Sequence, residues 1–255
     1  TVRRHLPAAA DGQVQGLARR IEVTAVAGPG HVRHDTPQDL AEAVTLDPRA
    51  LGLARFSATG RARALRLAGP CGRGVTASRS TLKAEDYPLT APLMLYVPDL
   101  PLPSGLRAFL DWLDSRAAER VVRRAGYVNQ LPMEIPVARQ GARLRDAILA
   151  AGPEISLADL QRLARGLQGA TRLTTSFRFR VGETTLDPQS EGNVQRLARA
   201  LASGRHDGRE VIFAGFSDGQ GPAGVNLRIA GDRARTVRDA VQAAAGPLPG
   251  VPLAV

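Results

Sequence analysis

The stretch Val211 to Val237, VIFAGFSDGQGPAGVNLRIAGDRARTV, decides how the C-terminal part of this chain is read. Val211–Phe216 is apolar and rich in β-forming residues, so it reads as a strand. Gly219, Gly221 and Gly224 keep the following turn open. Ala230, Ala234, Val237 and, further on, Val241 recur at helical spacing and mark the buried stripe of a helix. The acid Asp218 stands at the end of the strand beside glycines, and Arg233 stands fifteen positions later, about two turns into the helix and pointing back over its start.

Elements on either side extend this pattern. In SFRFRV, Phe177, Phe179 and Val181 alternate with Arg178 and Arg180, as in a half-buried antiparallel strand. Asp187-Pro188 combines an N-cap with proline at the first helical position, and Val194, Leu197, Ala198 and Leu201 give that helix a buried face. Val251–Val255 starts one more strand. Upstream, residues 131–171 read as a connector opened by Pro132 and Pro136. It holds a helix over Ala142–Ala151, stopped by Gly152-Pro153. A second helix begins with the capping pair Ser156 and Asp159, carries Leu157, Leu160, Ala164 and Leu167 as its apolar stripe, and ends at Gly169.

In the N-terminal half, Val2–Leu6 reads as the end of a helix and Ile21–Val26 as a strand, followed by a break at Gly28-Pro29-Gly30. Thr36-Pro37-Gln38-Asp39 starts a helix that runs to about Val44. Ala50–Phe56 and Ala64–Leu67 read as short strands. Leu93–Val97 is a continuous apolar run between prolines, which suits a strand buried on both faces. One helix, capped by Ser104, carries Leu106, Phe109, Leu110, Leu113, Ala117 and Val121 and ends at Gly126, with Trp112 as a core aromatic.

Composition narrows the function. The chain has 255 residues, a formal net charge of +10 and a single lysine, Lys83, among 34 basic residues. The arginines are scattered and aromatics make up only 4%, so neither the basic stripe nor the stacking platform of a nucleic-acid binder is present. An anionic polymer or a membrane surface remains an alternative partner for a basic face. Cys71 is the only cysteine, which rules out a disulfide within this chain and a cysteine-based zinc site. His5, His31, His34 and His206 are isolated; His31 and His34 fall in a Gly/Pro-flanked loop and read as solvated, and no metal or cofactor is expected. No run approaches the ~18 apolar residues of a membrane span. The first residues, TVRRHLPAAADG, lack the apolar core of a signal peptide, as expected of a cytoplasmic protein or of a mature or shortened form. No phosphate-binding loop, nucleophile elbow or nucleophile–base set is present, and Asp111 with Asp114 reads as a solvated helix face, so no enzyme is expected.

Two family resemblances follow from these motifs. DPRALGLARFS, EDYPLTAPLMLYVP and AERVVRRAGYVNQ, with Ser115, Ala117, Ala118, Val121, Val122, Gly126 and Tyr127 in a matching helix, resemble the C-terminal half of phosphate-type substrate-binding proteins of ABC transporters. The resemblance spans roughly residues 1–130 and implies part of a type II periplasmic-binding-protein α/β fold, with phosphate or another small anion as ligand. The first lobe and its anion loop would lie ahead of Thr1, and no ligand residue carries over. GFSD followed by Gly221, Asn226, Ile229, Ala230, Arg233 and Ala234 resembles the OmpA-like peptidoglycan-binding domain over about residues 172–255. Asp218 to Asn226 is eight positions and Asp218 to Arg233 fifteen, as in that family. The chain departs from the family at Phe216, usually His, at Ser217, usually Thr, and at Ala230, usually Ser. The family's third helix and last strand would follow Val255.

The second resemblance implies a βαβα(β) fold and a non-catalytic peptidoglycan ligand, the diaminopimelate of the stem peptide. It implies Asp218, Arg233, Asn226, Phe216 and Ser217 as the binding residues. Diaminopimelate ends in a zwitterion: a carboxylate holds its ammonium, and an arginine holds its carboxylate through two parallel hydrogen bonds. The alternative is that Asp218 and Arg233 pair with each other at the surface. The fold class expected is therefore α/β followed by α+β. The domains are residues 1–130, a helical connector over 131–171 and an OmpA-like domain over 172–255. The expected location is periplasmic, at the cell wall or outer membrane of a Gram-negative envelope, with no nucleic-acid partner and no transmembrane segment in this chain. A solute receptor for phosphate-type transport with a vestigial OmpA-like domain is the alternative function.

Overall fold

In the computed structural model, the structure describes residues 3–7, 31–68, 74–141, 143, 145, 148, 155–180, 183–217 and 221–255. The expectations for Ile21–Val26, Gly28-Pro29-Gly30, Cys71, Gly152-Pro153, Val181, Asp218 and Gly219 lie outside these residues. Contacts divide the chain into two units, residues 1–131 and 132–255.

The first unit is built on a parallel sheet. Strand β1 (Arg3–Pro7) lies between β2 (His31–His34) and β3 (Ala50–Gly52), with Arg4 opposite His31 and Arg3 opposite Ala50. Of the stretch Val2–Leu6, Arg3–Leu6 is thus strand rather than a helix end, because ladder partners on both sides outweigh local propensity. His31 and His34 likewise belong to an edge strand, not a loop. Parallel neighbours need a crossover. Helix α1 (Pro37–Leu46) connects β2 to β3 and packs on the sheet, burying Leu40 and Ala41. Its start is as the sequence indicates: Thr36 Oγ1 accepts from the Asp39 amide at 3.1 Å, with Pro37 in the first helical turn. Strand β3 stops at Gly52, and Phe56 opens a 3₁₀ turn (Phe56–Ala58) instead of ending the strand.

A second, antiparallel pair joins β4 (Arg66–Ala68) to β5 (Gly74–Thr76) and leads to α2 (Arg79–Lys83), capped by the Ser78–Thr81 box. Several expectations fail beyond this point. Leu93–Val97 is irregular and exposed, with Leu93 at 71% and Tyr96 at 89% accessibility. Pro88, Pro92, Pro98, Pro101 and Pro103 supply no N–H, and no described strand runs beside the segment. The single long helix is two: α3 (Ser104–Leu113) and α4 (Arg116–Arg124). Ser115 breaks them apart, because its hydroxyl caps the second helix by accepting from the Ala118 amide at 3.2 Å. Pro103, not Ser104, holds the cap position of α3. Trp112 stacks on Phe109 at the exposed surface, while Ala118 takes the buried position of α4. Gly126 ends α4 at φ +81°, seated so close that a Cβ would lie 3.0 Å from Ser57 Cβ.

The second unit opens with β6 (Glu134–Pro136) paired antiparallel to β7 (Thr171–Leu173). The buried Thr174 hydroxyl accepts from the Met133 amide at 2.8 Å. Residues 141, 143, 145 and 148 have helical backbone. Helix α5 (Leu157–Gly166) starts with the Ser156–Asp159 box; Leu160, Leu163, Ala164 and Leu167 are half-buried, whereas Leu157 is exposed. The alternation in SFRFRV holds over Phe177–Arg180, with Phe177 and Phe179 half-buried and Arg178 and Arg180 exposed. The ladder there is narrower than a strand: a Phe179–Leu186 bridge flanked by Arg180 N–H to Thr185 O at 3.0 Å and Asp187 N–H to Arg178 O at 3.1 Å. This 178–187 hairpin feeds α6 (Pro188–Ala202), where Asp187 caps as expected. The buried Ser190 hydroxyl accepts from the Arg178 amide at 2.7 Å and locks hairpin to helix.

Strand β8 (Val211–Ile212) then pairs parallel with β9 (Leu253–Ala254), and α7 (Ala223–Ala245) is the crossover between them. Val194, Leu197, Ala198 and Leu201 of α6 meet Ala234, Val237 and Val241 of α7, Phe213 and Val251 in one core. Each fully buried aliphatic side chain there contributes ~1.5–3 kcal/mol.

Candidate functional site

The candidate site grows out of the end of β8. Phe213 is buried and donates its amide to Ala254 O at 2.9 Å, which carries the ladder one residue past the strand. Gly215 follows where α7 presses in: a Cβ there would stand 1.9 Å from Ala230 O, so no side chain fits. Phe216 swings out to 69% accessibility and Ser217 is half-buried. Asp218 itself lies outside the described residues. Gly221 resumes the chain at φ +90°, a backbone state that favours glycine, and Pro222 takes the cap position of α7. Gly224 is inside the helix rather than in the turn. Asn226 reaches back across the turn, donating from Nδ2 to Gly221 O at 3.5 Å.

Arg233 stands ten residues after the first residue of α7, about 2.8 turns along it rather than two. Its guanidinium lies over the Phe179 ring, 5.1 Å from the centroid. Nη2 donates to Glu183 O at 3.4 Å, and Nε is buried without a partner among the described residues. Phe179 and Glu183 are thus part of the surroundings of Arg233 that the sequence reading missed. The alternation put Phe179 on the inner face, but nothing in it specified which helix residue would cover the ring.

A second polar group that the sequence reading missed sits at the β6 end of the same unit. His206, read as isolated, is buried, with Nδ1 4.0 Å from Glu134 Oε1. Arg209 Nη1 lies 3.0 Å from Glu134 Oε2. That hydrogen bond holds the Glu134 carboxyl below its usual range. Burial pushes the His206 imidazole down, against the opposing pull of Glu134. Among the described residues, no group of His, Cys, Asp and Glu is arranged to hold a metal ion.

The unit also carries a cavity of about 330 Å³ lined by Leu163, Leu167, Ile212, Leu227 and Ala230. It is apolar and includes neither Asn226 nor Arg233, so it offers nothing to a zwitterion. In the first unit, Asp111 and Asp114 are exposed, as the sequence indicates. Among the described residues, no helix is long and apolar enough to cross a membrane.

Comparison with curated proteins and with solved structures returns no match. The family comparison covers neither residues 1–130 nor the phosphate-type resemblance assigned to them. It does cover the hairpin, α6, β8 and α7: residues 178–251 match the model described as OmpA family, and the chain carries an OmpA-family domain at its C-terminus.

Proposed function

We propose that this chain is a non-catalytic cell-envelope protein whose C-terminal domain, about residues 172–255, binds peptidoglycan through the diaminopimelate of the stem peptide. The observation that carries this reading is the OmpA-family match over residues 178–251, a span that includes Asp218, Asn226 and Arg233. Arg233 supplies a planar cation for the ligand carboxylate, and Asp218 an anion for its ammonium. Asn226 braces the turn between them, and Ser217 adds a hydroxyl at its start. Phe216, exposed where the family usually carries histidine, offers an apolar face to the glycan or peptide. The antiparallel pairing of β6 with β7 ties the preceding connector to this domain. A peptidoglycan ligand places the protein in the envelope, at the cell wall or outer membrane. A solute-receptor role for residues 1–130 has only the sequence resemblance behind it.

Sedimentation with purified sacculi tests the proposal. The wild-type chain pellets with sacculi, and the Asp218→Ala/Arg233→Ala double variant stays in the supernatant. Equal sedimentation of the two overturns the reading.

A further inference from the structure

The strand–turn–helix does not hold its arginine alone. We infer that Phe179 and the Glu183 carbonyl form a fixed cradle that aims the Arg233 guanidinium at its ligand, which makes Phe179 a positioning residue for this site. The inference rests on the peptidoglycan-binding reading and identifies what orients the cation in it.

Four observations carry it. The guanidinium lies 5.1 Å above the Phe179 ring, within cation–π range. Nη2 is tied to Glu183 O at 3.4 Å, on the same hairpin. Nε is buried and has no hydrogen-bond partner among the described residues. A cation placed only to stabilise the fold would have its buried donors satisfied, so the unmet donor points to a group held for another purpose. Finally, the cradle is itself fixed. The Phe179–Leu186 bridge and the Arg180–Thr185 and Arg178–Asp187 hydrogen bonds close the hairpin, and Ser190 Oγ ties it to α6 through the Arg178 amide.

The physical gain is preorganisation. A free arginine side chain samples many rotamers and loses that freedom on binding. An arginine already flattened on a ring and tethered at one nitrogen has lost it beforehand, and the bound state is correspondingly tighter. The ring also covers one face of the guanidinium, so a carboxylate must meet its edge, in the plane that allows directional hydrogen bonds.

The test uses the full chain titrated with two stem peptides, one ending in free diaminopimelate and one with that residue's carboxylate amidated. Wild type prefers the free carboxylate. Phe179→Leu, which keeps an apolar side chain but removes the ring, binds the free form about tenfold more weakly and loses most of its preference over the amidated form. Phe179→Tyr restores both. A merely structural role would weaken both peptides alike. Unchanged preference in Phe179→Leu overturns the inference while leaving the binding reading intact, and so does failure of Phe179→Tyr to restore it with the melting temperature at the wild-type value. If Arg233→Ala binds both peptides as wild type does, the binding reading itself falls, and the inference with it.

Discussion

Two apolar runs of this chain invite comparison: Leu93–Val97 in the first unit and Val211–Phe216 in the second. By composition both read as strands, and Leu93–Val97 reads as the more deeply buried. In the structure the first is irregular and exposed, whereas Val211–Phe213 of the second enter a parallel ladder, with Phe213 buried beneath α7, and the expected strand stops short of Ala214–Phe216. The difference is in what surrounds each run. Val211–Phe216 is followed by a long helix that returns the chain to Leu253–Ala254, so both its ladder and its cover come from one strand–helix–strand unit. Leu93–Val97 is hemmed by prolines that donate no hydrogen bond, and no described strand lies beside it. Apolar character therefore selects residues that benefit from burial, while pairing decides whether they become a strand.

Substitutions in the two regions sharpen this contrast. The largest effect is expected in the second unit's core. Leu201→Ala removes a side chain left only 1% accessible and should cost about 3 kcal/mol, read from the urea midpoint. Gly215→Ala should cost about 2 kcal/mol, because the new methyl meets the Ala230 carbonyl, a backbone atom that cannot turn aside. Retention of wild-type stability in that variant would mean that α7 sits farther from β8 than described.

The buried histidine predicts a smaller, pH-dependent effect. His206 has a folded pKa below its ordinary 6.5, so the unfolded chain takes up the proton more readily. Its contribution to stability is intact above pH 6.5 and is lost as the pH falls from there through the lowered folded value. Thermal melts between pH 7.5 and 5 should fall more steeply for wild type than for His206→Gln, and parallel slopes would refute the assignment. The smallest effect belongs to the exposed run. Leu95→Ser, at 62% accessibility, should change stability by less than about 0.5 kcal/mol. A loss comparable to that of Leu201→Ala would show that the run is covered after all and would erase the comparison.

The features legible in the sequence are those whose causes are local. Thr36, Ser156 and Asp187 cap their helices as read, because the hydroxyl or carboxylate and the amide it accepts from are three residues apart. Gly126 and Gly169 end helices at positive φ for the same reason. The buried faces of α6 and α7 followed from spacing alone. The misreadings required knowledge of neighbours. Trp112 fell beside a helical stripe yet stacks on Phe109 in solvent; the break at Ser115 is the exception, a local capping bond that the apolar spacing running through it obscured. At the candidate site, the ring beneath the Arg233 guanidinium was not legible in the sequence.

By itself, the sequence determined the starts of several helices, which faces of α6 and α7 turn inward, and the C-terminal OmpA-family domain matched over residues 178–251. These rest on periodicity and on contacts within a few residues, which any stretch of chain carries with it. Tertiary structure alone decided that Val211–Phe213 finds a ladder while Leu93–Val97 has no described strand beside it, that His206 is buried beside Glu134, and that Phe179 lies under Arg233. Each of these depends on segments far apart in the chain meeting in space, and a pairwise energy between distant residues leaves no periodic trace in the order of either one.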